Sequence, residues 1–123
     1  MRAELKHLHS PDIEDLKSYR PRIDDDFGFL LQMMVGPEGD AGEESFDILV
    51  CTPEWIKHRH KIDDLVLGRH FLIVFEYEYN RLLRFLQESC GQCSGETWEE
   101  VANKVGRIGK WEFEDYVKGQ KDV

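Results

Sequence analysis

Cys90 and Cys93, in the stretch "SCGQCSG" at 89 to 95, have the two-residue separation of a dithiol redox pair or of half a zinc site. A redox pair of the thioredoxin type needs its first cysteine at a helix N-terminus, where the dipole stabilises the thiolate. Cys90 instead closes the helically spaced series Tyr79, Leu82, Leu83, Leu86 and Cys90, so it falls in a last turn, with Gly91 in the position of a left-handed cap. The negative end of the dipole disfavours a thiolate there. Cys90 therefore reads as a small hydrophobe, and Cys93 as part of the turn before the next helix.

A zinc site needs about four ligands, and no completion of the pair by Cys51, His58, His60 or His70 has a recognised spacing. His7 and His9 would share a strand face but have no acid or thiol beside them in sequence, and His58 and His60 would point apart on a helix. Asp24, Asp25 and Asp26 lack the glycine and closing glutamate of a calcium loop. Cys51 ends an apolar run and reads as core. There is no phosphate-binding glycine loop, HExxH or GxSxG. The residues thus assign no catalytic group, no metal and no cofactor, and three cysteines in an unexported chain read as reduced thiols.

Charge is more informative. Of 25 acids and 16 bases, giving a net charge of −9, the whole excess lies in one window. Between Arg22 and Lys57 there is no cation, but there are Asp24, Asp25, Asp26, Glu38, Asp40, Glu43, Glu44, Asp47 and Glu54. Such a segment argues against nucleic acid as a partner, because non-specific binding neutralises phosphates with cations. It argues for a basic protein partner, or for solubility alone.

The elements that must position these residues follow from pattern. Residues 3 to 9 read as a first strand and 10 to 26 as loop. Residues 27 to 35, "FGFLLQMMV", are apolar on both faces and predict a central strand covered on two sides. An exposed acidic loop of about nine residues leads to a partner strand in which Phe46, Ile48 and Val50 alternate with polar positions. Thr52-Pro53-Glu54 starts a helix whose apolar side would run through Trp55, Ile56, Ile62, Leu65 and Val66.

Past Gly68, "RHFLIVFEY" is the best-marked strand, with Phe71, Ile73, Phe75 and Tyr77 on one face. Thr97 and Glu100 form a capping box for a helix with the stripe Trp98, Val101, Ala102, Val105 and Ile108. A Glu100–Lys104 pair lies on its other side, and Gly109 ends it. Trp111 and Phe113 predict a short last strand or packed tail, and 118 to 123 a frayed end. Trp55, Trp98 and Trp111 read as core, with Trp111 also a candidate partner contact. The expected fold is α+β: a mainly antiparallel sheet of about four to five strands against two to three helices, one domain over 1–123. No apolar run approaches the roughly 20 residues of a membrane span, and no leader pattern opens the chain. The expected location is cytoplasmic.

Four blocks in order, "AELKHLHSPD", "LLQMMVGPEGDAGEESFDILVCTPEWI", "GRHFLIVFEYEYNRL" and "CSGETWEEVANKVGRIGKWEFEDY", resemble the Immunity protein 8 family of bacterial polymorphic toxin systems. The most specific pieces are "GEESFD", "CTPEW", "ETWEEV" and "RIGKWEFEDY"; residues 12 to 26 and 57 to 67 carry none of the likeness. The resemblance implies a small cytosolic α+β protein that binds and neutralises a cognate toxin domain of a polymorphic or contact-dependent system, without catalysis. It carries over no functional residues. The expected partner-binding residues, Asp24, Asp25, Asp26, Glu38, Asp40, Glu43 and Glu44, rest on charge: an acidic surface would steer a basic, nuclease-type toxin, with nearby side chains locking it. Two other readings stay open on the residues, an acidic cytosolic binding or regulatory module and a CxxC redox or metal protein. Oligomeric state is not legible.

Overall fold

The computed structural model describes residues 1–115. Its strands are β1 (Ala3–His9), β2 (Gly28–Pro37), β3 (Glu44–Cys51), β4 (Phe71–Ile73) and β5 (Lys110–Trp111); its helices are α1 (Pro53–Arg59), α2 (Tyr79–Gly91) and α3 (Trp98–Val105). The five strands form one sheet in the order β1-β2-β3-β4, with β5 also on β3, end to end with β4. All pairings are antiparallel except β3 with β4, which the β3–α1–β4 crossover makes parallel. The expected mainly antiparallel α+β fold is the one observed.

Strand alternation sets the layers. Phe29, Leu31, Met33 and Val35 of β2 lie beside Phe46, Ile48 and Val50 of β3 on one face, all buried. Leu82, Leu86 and Cys90 of α2 and Val101, Ala102 and Val105 of α3 cover that face. A bulge in β1 pairs Leu5 with Val35 and His7 with Met34, which inserts Lys6 as an extra residue. At β5, Gly109 sits so close to β3 that a Cβ would be 3.2 Å from the Asp47 carbonyl oxygen, and Trp111 stacks on Phe46 at 6.2 Å.

Several local expectations are corrected. β2 is central in the sheet but covered on one side only: Leu30, Gln32 and Met34 are half-buried because both packed helices lie on the opposite face. At one end of this second face Trp55 of α1 lies over Gly28, where a Cβ would be 2.4 Å from the indole. The connecting loop is 38–43, shorter than expected, because pairing continues to Val35–Glu44.

The strand marked at 69 to 77 shrinks to three residues at the sheet edge, and its supposed inner face turns outward. Ile73 and Phe75 are 49% and 75% exposed, whereas Leu72 and Val74 pack on the core. Only Tyr77 of that face turns inward, against Phe27, Phe29 and Tyr19. The helix from Thr52 stops at Arg59, leaving Ile62 and Leu65 fully exposed. Residues 57 to 61 offer no apolar anchor, and Lys61 and Asp64 close a turn in which the Lys61 amide donates to the Asp64 carboxylate at 2.9 Å.

Gly91 is the last residue of α2 rather than a left-handed cap; Gln92 caps it in right-handed geometry, and the Cys93 amide donates to the Cys90 carbonyl. α3 ends at Val105, with Gly106 as its cap. Thr97 caps α3 as expected, but Glu100 accepts from the Glu96 amide at 2.9 Å and Lys104 donates to the Ser94 carbonyl, so those two side chains do not pair. The three tryptophans are half-buried: Trp98 and Trp111 pack against the core as expected, whereas Trp55 does not. The expected frayed end at 118 to 123 lies outside the described residues.

Candidate protein-binding surface

The hairpin between β2 and β3 is built by a close approach of its two arms. A Cβ at Gly36 would be 1.8 Å from the Gly42 carbonyl oxygen, and Gly39 takes φ +80 at the tip. Glu38, Asp40 and Glu43 are exposed around this tip, and Glu44 begins β3 below it. The sequence shows no cation in this segment, but the fold supplies two, Arg2 just before β1 and Lys6 within it. Arg2 pairs with Glu38 at 2.8 Å, and the Lys6 ammonium donates to the Asp40 carbonyl. Lys6 also bonds Glu4, and with the Gly39 backbone it holds the Glu4 carboxyl below its usual range. His7 lies 3.5 Å from Glu43.

Two further sources of negative charge lie here, the start of α3 and the β5 side. The Trp98 indole N–H donates to Glu44, which sets the first turn of α3 against the base of the hairpin. That turn carries Glu99 and Glu100, with Glu96 just before it, and Glu96 and Glu99 are exposed. On the β5 side the Glu112 carboxylate accepts from the Ser45 amide at 2.8 Å. The result is an acid-rich end of the molecule around a cleft of about 300 Å³ lined by Pro37, Asp40, Glu43, Glu44 and Trp98. Sequence inspection missed Glu4, Glu96, Glu99 and Glu112. The one local hint was Trp98, a side chain with a polar edge at the start of an otherwise apolar stripe.

Asp24, Asp25 and Asp26 are not part of this end. They precede β2, whereas the hairpin follows it, and ten residues of strand separate the two groups by about 30 Å. Asp24 and Asp25 are exposed, and Asp26 meets His58 of α1 at 2.7 Å. The acidic segment is continuous in the chain but divided in space.

The cysteines are placed against redox chemistry. All three are free and buried. Burial pushes the Cys90 thiol up to about 12, and raises Cys51 and Cys93 as well, the reverse of an activated thiolate. Among the described residues no three of His, Cys, Asp and Glu converge as metal ligands, and no helix is long and apolar enough to cross a membrane.

No curated protein and no solved structure matches the chain. A family model does: that of Immunity protein 8, over residues 3–116.

Proposed function

The chain belongs to the Immunity protein 8 family, and from that premise we propose that it binds a basic, nuclease-type toxin domain in the cytoplasm and neutralises it without catalysis of its own. Family membership implies neutralisation of a toxin in general. The basic character of the partner rests on the acid-rich end, which is the observation that carries the proposal. There Asp40, Glu43, Glu96 and Glu99 are exposed with little cation to offset them. A toxin that cleaves nucleic acid presents cations to phosphate, and carboxylates on a protruding hairpin match such a cleft in sign. Steering of this kind raises association towards ~10⁸–10⁹ M⁻¹s⁻¹ at low salt.

Asp24, Asp25 and Asp26 serve this surface only at long range. A standard interface covers about 800 Å² on each partner, a patch roughly 30 Å across, so one toxin centred on the hairpin tip does not reach them. A second reading places the partner at their end. It is favoured by the loop after α1, where Ile62, Leu65 and Leu67 are 105%, 98% and 92% exposed beside Asp63 and Asp64. Those side chains would be the desolvated anchors that tight complexes need.

Co-expression with the toxin domain encoded next to this gene tests the function. Restored growth and a co-purifying complex are expected, and failure with every adjacent toxin gene overturns the proposal. The two surfaces separate by variant: Asp40→Lys with Glu99→Lys should weaken protection if the hairpin binds, and Leu65→Asp with Leu67→Asp if the loop does.

A further inference from the structure

The start of the chain holds the hairpin tip residue by residue. Arg2, just before β1, and Glu4 and Lys6 within it are alternate positions, and they meet three consecutive tip residues. Arg2 pairs with the Glu38 carboxylate at 2.8 Å, Glu4 meets the Gly39 backbone, and the Lys6 ammonium donates to the Asp40 carbonyl. The Glu38 amide also donates to the Arg2 carbonyl at 2.8 Å. The bulge frees Lys6 for its contact: the residue has no partner in the β2 register, and its side chain is only 17% exposed.

The same residues are held from behind by the turn between α2 and α3. The Ala3 amide donates to the Cys93 carbonyl at 2.9 Å and the Gly95 amide to the Met1 carbonyl at 3.0 Å, while Arg2 forms a single antiparallel bridge with Ser94. That turn leads to Trp98, whose indole donates to Glu44 at the base of the hairpin. A closed circuit results: from the tip through residues 1–3 to the 93–95 turn, and through the start of α3 back to the hairpin. The stretch "SCGQCSG" enters it through its backbone, not its sulfur.

The two cations oppose what the acids around them do. Arg2 and Lys6 dilute the negative charge of this end, so they weaken its attraction for a basic partner. An exposed ion pair such as Arg2–Glu38 also adds little stability by itself. Their placement on successive tip residues does account for them, because it fixes the hairpin before a partner arrives. We propose, resting on the reading of this end as the toxin-binding surface, that Arg2 and Lys6 are positioning residues for toxin binding. They preorganise the tip, so the toxin does not have to order it. A tip in place in only part of the molecules lowers the affinity by that fraction.

Arg2→Met with Lys6→Met keeps both stems and removes both cations. In the free chain, amide hydrogen exchange should quicken about fivefold or more at Glu38 and Asp40 but not in α2, with little change in the thermal melt. Affinity is then measured for the toxin domain encoded next to this gene. Steering alone predicts that this variant, more negative than the wild type, binds more tightly; positioning predicts binding weaker by about fivefold or more. Arg2→Lys with Lys6→Arg keeps both cations and should stay within about twofold of the wild type. Unchanged exchange at the tip, or a double-methionine variant that binds toxin as tightly as the wild type or more so, overturns the proposal. So does an equal loss in the Lys–Arg exchange. A wild-type chain that binds no adjacent toxin sinks the functional reading and this inference with it, whereas failure of the inference alone shows only in the variants.

Discussion

Trp98 on α3 donates its indole N–H to Glu44 at the start of β3, a bond between residues 54 positions apart that closes the acidic end of the molecule. It satisfies a half-buried carboxylate and holds the helix against the hairpin. Trp98→Phe keeps the ring and removes the donor, so it should cost about 1–2 kcal/mol in urea unfolding. Glu44→Gln keeps an acceptor and should cost less. Equal stability of all three proteins would mean that the bond does not hold the two elements together.

Charge reversal should act on association rather than on fold. Asp40→Lys, Glu43→Lys and Glu99→Lys together should slow toxin binding by about tenfold or more at low ionic strength and flatten its dependence on salt. Asp24→Asn, Asp25→Asn and Asp26→Asn together should change the rate far less, because of the separation along β2. Stopped-flow measurement against a salt series distinguishes the two sets, and equal effects would contradict an interface centred on the hairpin.

The hairpin itself depends on Gly36. A methyl group there meets the Gly42 carbonyl oxygen, a backbone atom that cannot rotate away, whereas a methyl group on Gly42 meets nothing within 4 Å. Gly36→Ala should destabilise by roughly 1–3 kcal/mol and slow toxin association as the loop is forced open. Gly42→Ala should stay within about 0.5 kcal/mol of wild type. Thermal melts and binding rates on the two variants provide the contrast.

Alkaline stability should report the buried thiol. Burial raises Cys90 from 9.0 to about 12, and Tyr77 from 10.0 to about 12, so above pH 9 the unfolded chain releases protons that the folded chain still holds. Their contribution is complete below about pH 9 and is lost as pH rises towards 12. Urea midpoints should be flat from neutral pH to about 9 and then fall. Cys90→Ala should reduce the first part of that fall, to which buried Cys51 and Cys93 also contribute, and leave the part due to Tyr77. A midpoint that rises above pH 9 would contradict the burial of both groups.

How far local pattern could be read shows in individual residues. The alternation of Phe46, Ile48 and Val50 gave the buried face of β3, and Thr97 gave the start of α3. The same kind of signal misled at Phe75 and Leu65. Apolar periodicity says which side chains favour burial but not whether the chain itself covers them, and at the sheet edge and in the 61–68 loop it does not. The hairpin acids were visible as a run without cations. Glu96 and Glu99 were not, because their place beside the hairpin is fixed by the tertiary bond from Trp98 to Glu44. Asp24 to Asp26 were grouped with that run by sequence and separated from it by the length of β2.

The helices that cover the sheet come late in the chain. β1, β2 and β3 are complete at Cys51, yet their shared apolar face is covered only by side chains up to Val105. At translation rates of ~5–20 residues per second, that face waits several seconds on the ribosome for its cover. A newly made molecule thus passes through an interval in which Phe29, Leu31, Met33, Phe46 and Ile48 are bare. The bond from Trp98 to Glu44 forms only after residue 98 is made, so the acid-rich end is assembled well after the sheet that carries it.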